Sequence, residues 1–441
     1  VIAKLKKILP QNAFARGVSV LVGGTAGAQA LMVFASPLLT RLYTPEDFGL
    51  LAVYSGLLAL FAVVASLRYE LAIPLPETNT EAANVLVLSL LVVLLMTSIS
   101  GVMVLIAGEH IAAALNAPKL TNYFWLLPIG IFLSGIYKVF NYWAVRTKSF
   151  GEIARTRISQ TLATLAVQLF GFKLGSIALL FGQAGGQGVG SLRLARSAIK
   201  HKEFSSWTWS GVQQAAKRYK QFPIFSTWSG LFNTAGAQLP PLMFAAFFSA
   251  GAAGLYALAN RILKLPITVI GGAISKVYFS DLVEARTNGQ LPQKIEQGAA
   301  GLIKLSFPAG FMFMLFAPDL FLLVFGTEWK VAGDVARWMV PSILLQFISS
   351  PLSVVYFVLE KEKIGLIFQI GMLVARALSL IYGYYYLDFI DTTIVFSFVS
   401  AACYFFYSVS VFCMSGAGLH FLIFELFLEF LKGLLMLAMI I

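Results

Sequence analysis

Apolar residues run through this chain in blocks of spanning length, separated by short polar or basic stretches. The blocks fall at about 17–40, 47–73, 82–107, 123–146, 153–171, 174–195, 222–248, 251–275, 299–325, 335–359, 364–386 and 391–414. A helix of about 20 residues crosses a ~30 Å hydrocarbon layer, and each block is close to that length or beyond it. The pattern predicts an all-α polytopic membrane protein with about twelve transmembrane helices. A further apolar stretch, 419–441, carries Glu425, Glu429 and Lys432 at helical spacing. It reads equally as an extra span or as a helix lying in the interface.

Composition agrees with the pattern. The 441 residues are 59% hydrophobic and 12% charged, whereas soluble chains are about 45–50% apolar and about 25% charged. A net charge of +12 invites a nucleic-acid partner, but the cations cluster in short loops, as membrane insertion requires, so no nucleic acid is expected. Alternate loops take most of them: Arg146, Lys148, Arg155, Arg193, Lys217 and Lys361 fall on one side, while Arg41, Lys119, Lys173 and Lys330 fall on the other. That bias places both ends of a twelve-span chain in the cytoplasm, and the basic N-terminal segment reads as a retained cytoplasmic end. Cys403 and Cys413 share one predicted span, too far apart for a disulfide.

The longest inside connection, 196–221, divides the chain into an N-lobe (1–195) and a C-lobe (222–414) of six helices each, followed by the segment 415–441. The halves look related. SPLLTRLYTPEDFGLLAVY (36–54) and PPLMFAAFFSAGAAGLYALA (240–259) both run from Pro-Leu through a turn to Gly-Leu and an aromatic residue. An even number of spans per half makes a parallel repeat, and transporters built from repeats keep their substrate site in a central cavity between the halves. The basic segment 196–221, with Trp207 and Trp209, is expected to lie on the anionic membrane surface.

The eighth span, 251–275, carries the strongest candidate chemistry. Arg261 lies ten residues from Gly251, about half-way across the bilayer at 1.5 Å per residue. A charge at that depth costs about 2.5–3.5 kcal/mol on insertion scales and marks a functional position by default. Arg261, Lys264, Thr268, Gly272 and Ser275 form one stripe at spacings of 3, 4, 4 and 3, while Leu258, Ile262 and Leu265 cover most of the remaining surface. A fixed cationic face of this kind suits a phosphate ligand.

Other candidates are weaker. Arg376 lies mid-way along the eleventh span, and Lys138 about eight residues from the inner end of the fourth; either lines a cavity, or Lys138 snorkels partway and Arg376 pairs with a neighbouring carbonyl. Arg68 and Glu70, at the inner end of the second span, read as an interfacial pair, and Glu70 is the ion-coupling candidate because no other acid lies so far inside an N-half span. Arg41 belongs at the outer interface near Glu46 and Asp47, as a gate residue or an anchor. Gln29, Asn233 and Asn260 are intramembrane polar groups suited either to sugar hydroxyls or to helix–helix hydrogen bonds. The glycine runs 23–27 and 182–190 lack the strand and Lys-Ser/Thr of a phosphate loop; Gly23/Gly27 and Gly186/Gly190 are expected to mark close helix contacts. The three histidines are scattered and no nucleotide motif is present, so neither metal nor cofactor is expected.

LLTRLYTPEDFG (38–49), GLYALANRILKLP (254–266) and LLVFGTEWKVAG (322–333) resemble the Wzx-type polysaccharide and O-antigen flippases of the multidrug/oligosaccharidyl-lipid/polysaccharide superfamily. The resemblance implies an alternating-access transporter, not an enzyme. It would move an undecaprenyl-diphosphate-linked oligosaccharide, an O-antigen or lipopolysaccharide repeat unit, across the bacterial inner membrane. It also implies membrane lipids and other polysaccharide assembly proteins as partners. Arg261 and Arg41 fall where the family and its lipid II-flipping cousins carry arginines, whereas Gln29 and Ala35 replace two arginines of those cousins. Two rivals remain. A cation-coupled multidrug exporter of the same superfamily would want carboxylates in the first span, which has none. A membrane glycosyltransferase or polymerase would want a large outside catalytic loop, and the predicted outside loops are short.

Overall fold

The computed structural model describes residues 13–199, 206–271, 278, 281–282 and 284–440. Among them the chain is all-helical, and the helices fall where the apolar blocks predict. They are α1 (Ala13–Leu42), α2 (Pro45–Val64), α3 (Asn79–Ala114), α4 (Leu126–Arg146), α5 (Phe150–Phe170) and α6 (Ser176–Ile199). The connecting segment contributes α7 (Trp209–Arg218), followed by α8 (Thr227–Phe247) and α9 (Ala250–Leu263). Then come α10 (Leu291–Phe325), α11 (Lys330–Leu352), α12 (Glu362–Tyr386), α13 (Phe389–Ser415) and α14 (Leu419–Ile440). Seven described stretches, beginning with Ser19–Leu42 and ending with Phe389–Ser415, are both long and apolar enough to cross a membrane. The other long helices carry the charges, glycines and glutamines that make the chain more than a hydrophobic bundle. It is a multi-pass membrane protein.

The chain forms two compact units, residues 1–254 and 255–441. In the first, a hydroxyl N-cap opens each of two crossing helices. Thr44 accepts the amide of Asp47 in a capping box at the start of α2, and Ser249 accepts the amide of Ala252 at the start of α9 at 3.0 Å. Five residues after each cap stands a glycine, Gly49 and Gly254. A Cβ on Gly49 would lie 1.6 Å from the Ala250 carbonyl, and one on Gly254 would lie 1.9 Å from the Pro45 carbonyl. The two repeated sequence segments therefore meet each other, glycine against the partner's first turn. This reciprocity explains why both carry Gly at the same distance from the cap.

Several local expectations change. The second block is not one helix to residue 73: α2 ends at Val64, Leu67 and Arg68 take left-handed conformations (φ 45° and 63°), and a short 3₁₀ turn follows at Tyr69–Ala72. Left-handed backbone is disfavoured for such side chains, so the turn is held by its surroundings. A Cβ on Gly23 or Gly27 would meet nothing within 4 Å, whereas one on Gly24 would lie 2.6 Å from Ala154 Cβ of α5. The spacing was that of a helix contact, but the contacting face is set by Gly24 and buried Ala28. Gly186 and Gly190 do mark a contact, with Thr164 and Gln160 of α5.

The connecting segment is docked rather than merely lying on a surface. Thr208 donates its amide to Asn84 Oδ1 of α3 at 2.8 Å, Arg218 pairs with Glu81 at 3.6 Å, and Val212 and Ala215 are buried. Trp207 and Trp209 stay exposed. Lys200, His201 and Lys202 lie outside the described residues. At the other end of the chain, α14 packs along α10 in the second unit. Its buried Glu425 pairs with Lys304 at 3.2 Å, and Glu429 pairs with Lys432 at 2.6 Å.

Candidate functional site

Pro266 shapes the basic segment of the eighth span. Proline has no amide hydrogen to give the Ile262 carbonyl, and its ring crowds the preceding turn. Helix α9 accordingly stops at Leu263, and Ile267–Gly271 winds as a wider π turn, a distortion often found at functional sites. Backbone bonds bridge the irregularity, from the Lys264 amide to Asn260 and from the Thr268 amide to Lys264, both at 3.0 Å. Asn260, Lys264 and Thr268 thus remain one ridge, with Arg261 beside it. Gly272 and Ser275, the far end of the predicted stripe, lie outside the described residues.

Arg261 and Lys264 are partly buried. The same unit, the second, also holds a third cation. Arg376 of α12 donates Nε to Ser400 Oγ at 3.1 Å and lies 4.8 Å above the Tyr404 ring. Lys264 and the buried Tyr256 both lie within the electrostatic reach of Arg376. Tyr256 also packs edge-on against Phe396 of α13, with ring centroids 6.1 Å apart. Among the described residues no carboxylate pairs with Arg261, Lys264 or Arg376. The Asn260 amide oxygen is buried and accepts no hydrogen bond among the described residues. The site is positively charged and largely apolar, with a polar group beside it that is unused among the described residues.

Tyr256, Ser400 and Tyr404 were not legible as site residues. One of sixteen tyrosines carries no signal until the packing of α12 on α13 shows which ring lies beneath Arg376. The one-turn spacing of Ser400 and Tyr404 was the available hint.

The remaining candidates lie in the first unit. Lys138 donates Nζ to the Ala62 carbonyl at 2.5 Å, in the last turn of α2, where carbonyls run out of helical partners. Glu70 is buried; Ser66 donates to it at 2.5 Å, and Arg68 Nη1 lies 3.9 Å away. Arg68 rests over Gly230 of α8, where any Cβ would collide with its guanidinium. Lys138 lies within the field of both Glu70 and Arg68, so these groups form one charged knot. Arg41 is exposed, and the acids near it are engaged elsewhere: Glu46 pairs with Lys119 at 3.1 Å, and Asp47 caps α2. Gln29 and Asn233 are exposed and are not brought to the knot.

Residues 38–334, more than half of the chain, match the family model described as "Polysaccharide biosynthesis protein". The chain belongs to the polysaccharide biosynthesis protein family. Among curated relatives, the chain is 26% identical over 334 residues to the succinoglycan biosynthesis transport protein ExoT of Rhizobium meliloti (strain 1021), covering 73% of this chain and 64% of the relative. It spans less than two thirds of the length of the curated relatives it matches. Its fold is that of the lipid II flippase MurJ in an inward closed conformation, with a TM-score of 0.73, 14% identity, and coverage of 95% of this chain and 92% of that one. An inward-facing multidrug resistance MATE transporter of the MOP superfamily also shares the fold, at a TM-score of 0.62, 15% identity, and coverage of 89% and 94%.

Proposed function

We propose that this protein is an alternating-access flippase for a polyprenyl-diphosphate-linked oligosaccharide, an O-antigen or related repeat unit, in the bacterial inner membrane with its N-terminus in the cytoplasm. The observation that carries the reading is the site of Arg261, Lys264 and Arg376, cationic and without a carboxylate partner among the described residues. Buried positive charge of this kind is costly unless a ligand neutralises it, and a diphosphate does so with charge-assisted hydrogen bonds. Arg261 and Lys264 hold the diphosphate, Arg376 adds to the field, and Asn260 meets a sugar hydroxyl. The prenyl tail stays in the lipid. Arg41, Lys138, Gln29 and Asn233 are assigned to the path of the headgroup through the first unit, and Glu70 to ion coupling. Family membership and the named function of ExoT support the substrate class, and the MurJ-like fold supports the mode of movement.

The test is sidedness. A strain lacking the gene builds the lipid-linked oligosaccharide on the inner face, and an outside-only lectin or glycosidase reports its arrival. Restoring the protein should restore access, whereas Arg261→Ala should abolish it at normal protein levels. Access independent of the protein would overturn flipping, and full access with R261A would overturn the role of Arg261. Drug resistance without a glycan phenotype would instead favour a multidrug exporter.

A further inference from the structure

Helices α5 and α6 enclose a cleft that the transport reading does not use. Gly182, Gly186 and Gly190 recur every four residues along α6, and a Cβ on each would meet α5 side chains at 2.7, 2.0 and 2.2 Å respectively. This face continues through Arg193 and Ser197, at spacings of three and four. Beyond Gly190 this face carries arginine in place of glycine, and the helices meet through long polar side chains. A cleft of about 480 Å³ opens there, lined by Glu152, Val189, Leu192, Arg193, Arg196 and Ser197.

The floor of the cleft is charged and braced. Arg193 donates Nε to Glu152 at 3.3 Å and Nη1 to Ser159 at 3.2 Å, while Arg155 donates to the other Glu152 oxygen at 3.1 Å. One carboxylate is therefore shared by two arginines, and Arg196 adds a third cation. Neither the Arg196 guanidinium nor the Ser197 hydroxyl has a hydrogen-bond or ion-pair partner among the described residues. The lip is apolar and faces outward, with Leu192 61% and Val189 41% exposed.

We propose that this cleft holds the phosphate of an anionic phospholipid headgroup. Arg196 and Ser197 bind the phosphate, Arg193 supports it from the floor, and the acyl chains run over Val189 and Leu192. Two positive charges remain after Glu152 is counted, which suits a phosphodiester, and guanidinium groups match its geometry. A free phosphate would use the arginines but not the apolar lip. The basic ends of α5 and α6 belong to the side where anionic lipid headgroups attract such residues. The site uses none of the residues assigned to the transported substrate.

The full chain in detergent, stripped of lipid, is titrated with phosphatidylglycerol, phosphatidylcholine or inorganic phosphate, and bound species are counted by native mass spectrometry. Phosphatidylglycerol should bind at least about tenfold more tightly than phosphatidylcholine. The double variant Arg196→Gln/Ser197→Ala, which loses no partner among the described residues, should remove that preference, while Lys217→Gln, a basic residue of α7 outside the cleft, should keep it. Leu192→Ser should weaken phosphatidylglycerol binding several-fold. Unchanged lipid binding in the double variant, or an equal loss in K217Q, overturns the site. Inorganic phosphate binding as tightly as the lipid overturns the lipid assignment. None of these results bears on the sidedness assay, so the two readings fail separately.

Discussion

At the scale of single residues, the informative groups are those whose partners the backbone left over. Pro318 in α10 offers no amide to the Met314 carbonyl, and Arg337 of α11 supplies the missing donor, reaching Met314 at 3.0 Å and Leu315 at 3.1 Å. Arg337→Met should destabilise the protein by about 1–3 kcal/mol, the usual cost of orphaning a buried acceptor. In a Pro318→Ala background, where the helix regains its own bond, the cost should shrink; paired denaturation curves check this. Arg376 is different, because its guanidinium serves a hydroxyl and a ring at once. Arg376→Lys keeps the charge but loses the planar stacking, so lectin access should fall only partly, whereas Arg376→Met should fall much further. Equal transport in the two variants would mean that the charge does not matter there.

At the scale of elements, glycine positions separate packing from spacing. Gly49 and Gly254 stand against backbone carbonyls that cannot rotate away. Gly49→Ala or Gly254→Ala should therefore lower the melting temperature and folded yield sharply, with a cost of a few kcal/mol. Gly23→Ala and Gly27→Ala meet open space and should be neutral or stabilise by up to about 1 kcal/mol, since alanine is the better helix former. The sequence marks Gly23 and Gly27 as a close helix contact and Gly49 and Gly254 only as part of a repeat. It also showed Gly186 and Gly190 as a contact, and that reading holds because both face α5. A glycine pair announces that two backbones can approach, but which face is buried depends on the neighbouring helix.

At the scale of the whole molecule, if the proposed transport draws on an ion gradient, the buried knot of Ser66, Arg68, Glu70 and Lys138 is the candidate for the coupling. If Glu70 couples proton movement, Glu70→Gln should transport at a rate that no longer varies with pH, measured as lipid-linked sugar reaching the outer face of proteoliposomes. Lys138→Met, which removes a bond to the Ala62 carbonyl and a cation from the field of Glu70, should lower stability and displace the pH profile without abolishing it. A pH-dependent E70Q protein would remove Glu70 from the mechanism.

The sequence by itself determined the class of the protein, because uninterrupted apolar length is a direct consequence of bilayer thickness and needs no partner to be read. It also determined the paired Gly segments, since both run from Pro-Leu through a short turn to Gly-Leu and an aromatic residue, and the cationic character of the eighth span. Only tertiary structure decided what the polar groups touch. It drew Arg376 over Tyr404, sent Lys138 to a carbonyl, tied Glu46 to Lys119 and docked α7 on Asn84. Such contacts join residues far apart in the chain. Hydropathy reports how much of a segment avoids water, whereas a hydrogen bond or ion pair depends on position to within an ångström, which is fixed only when helices pack.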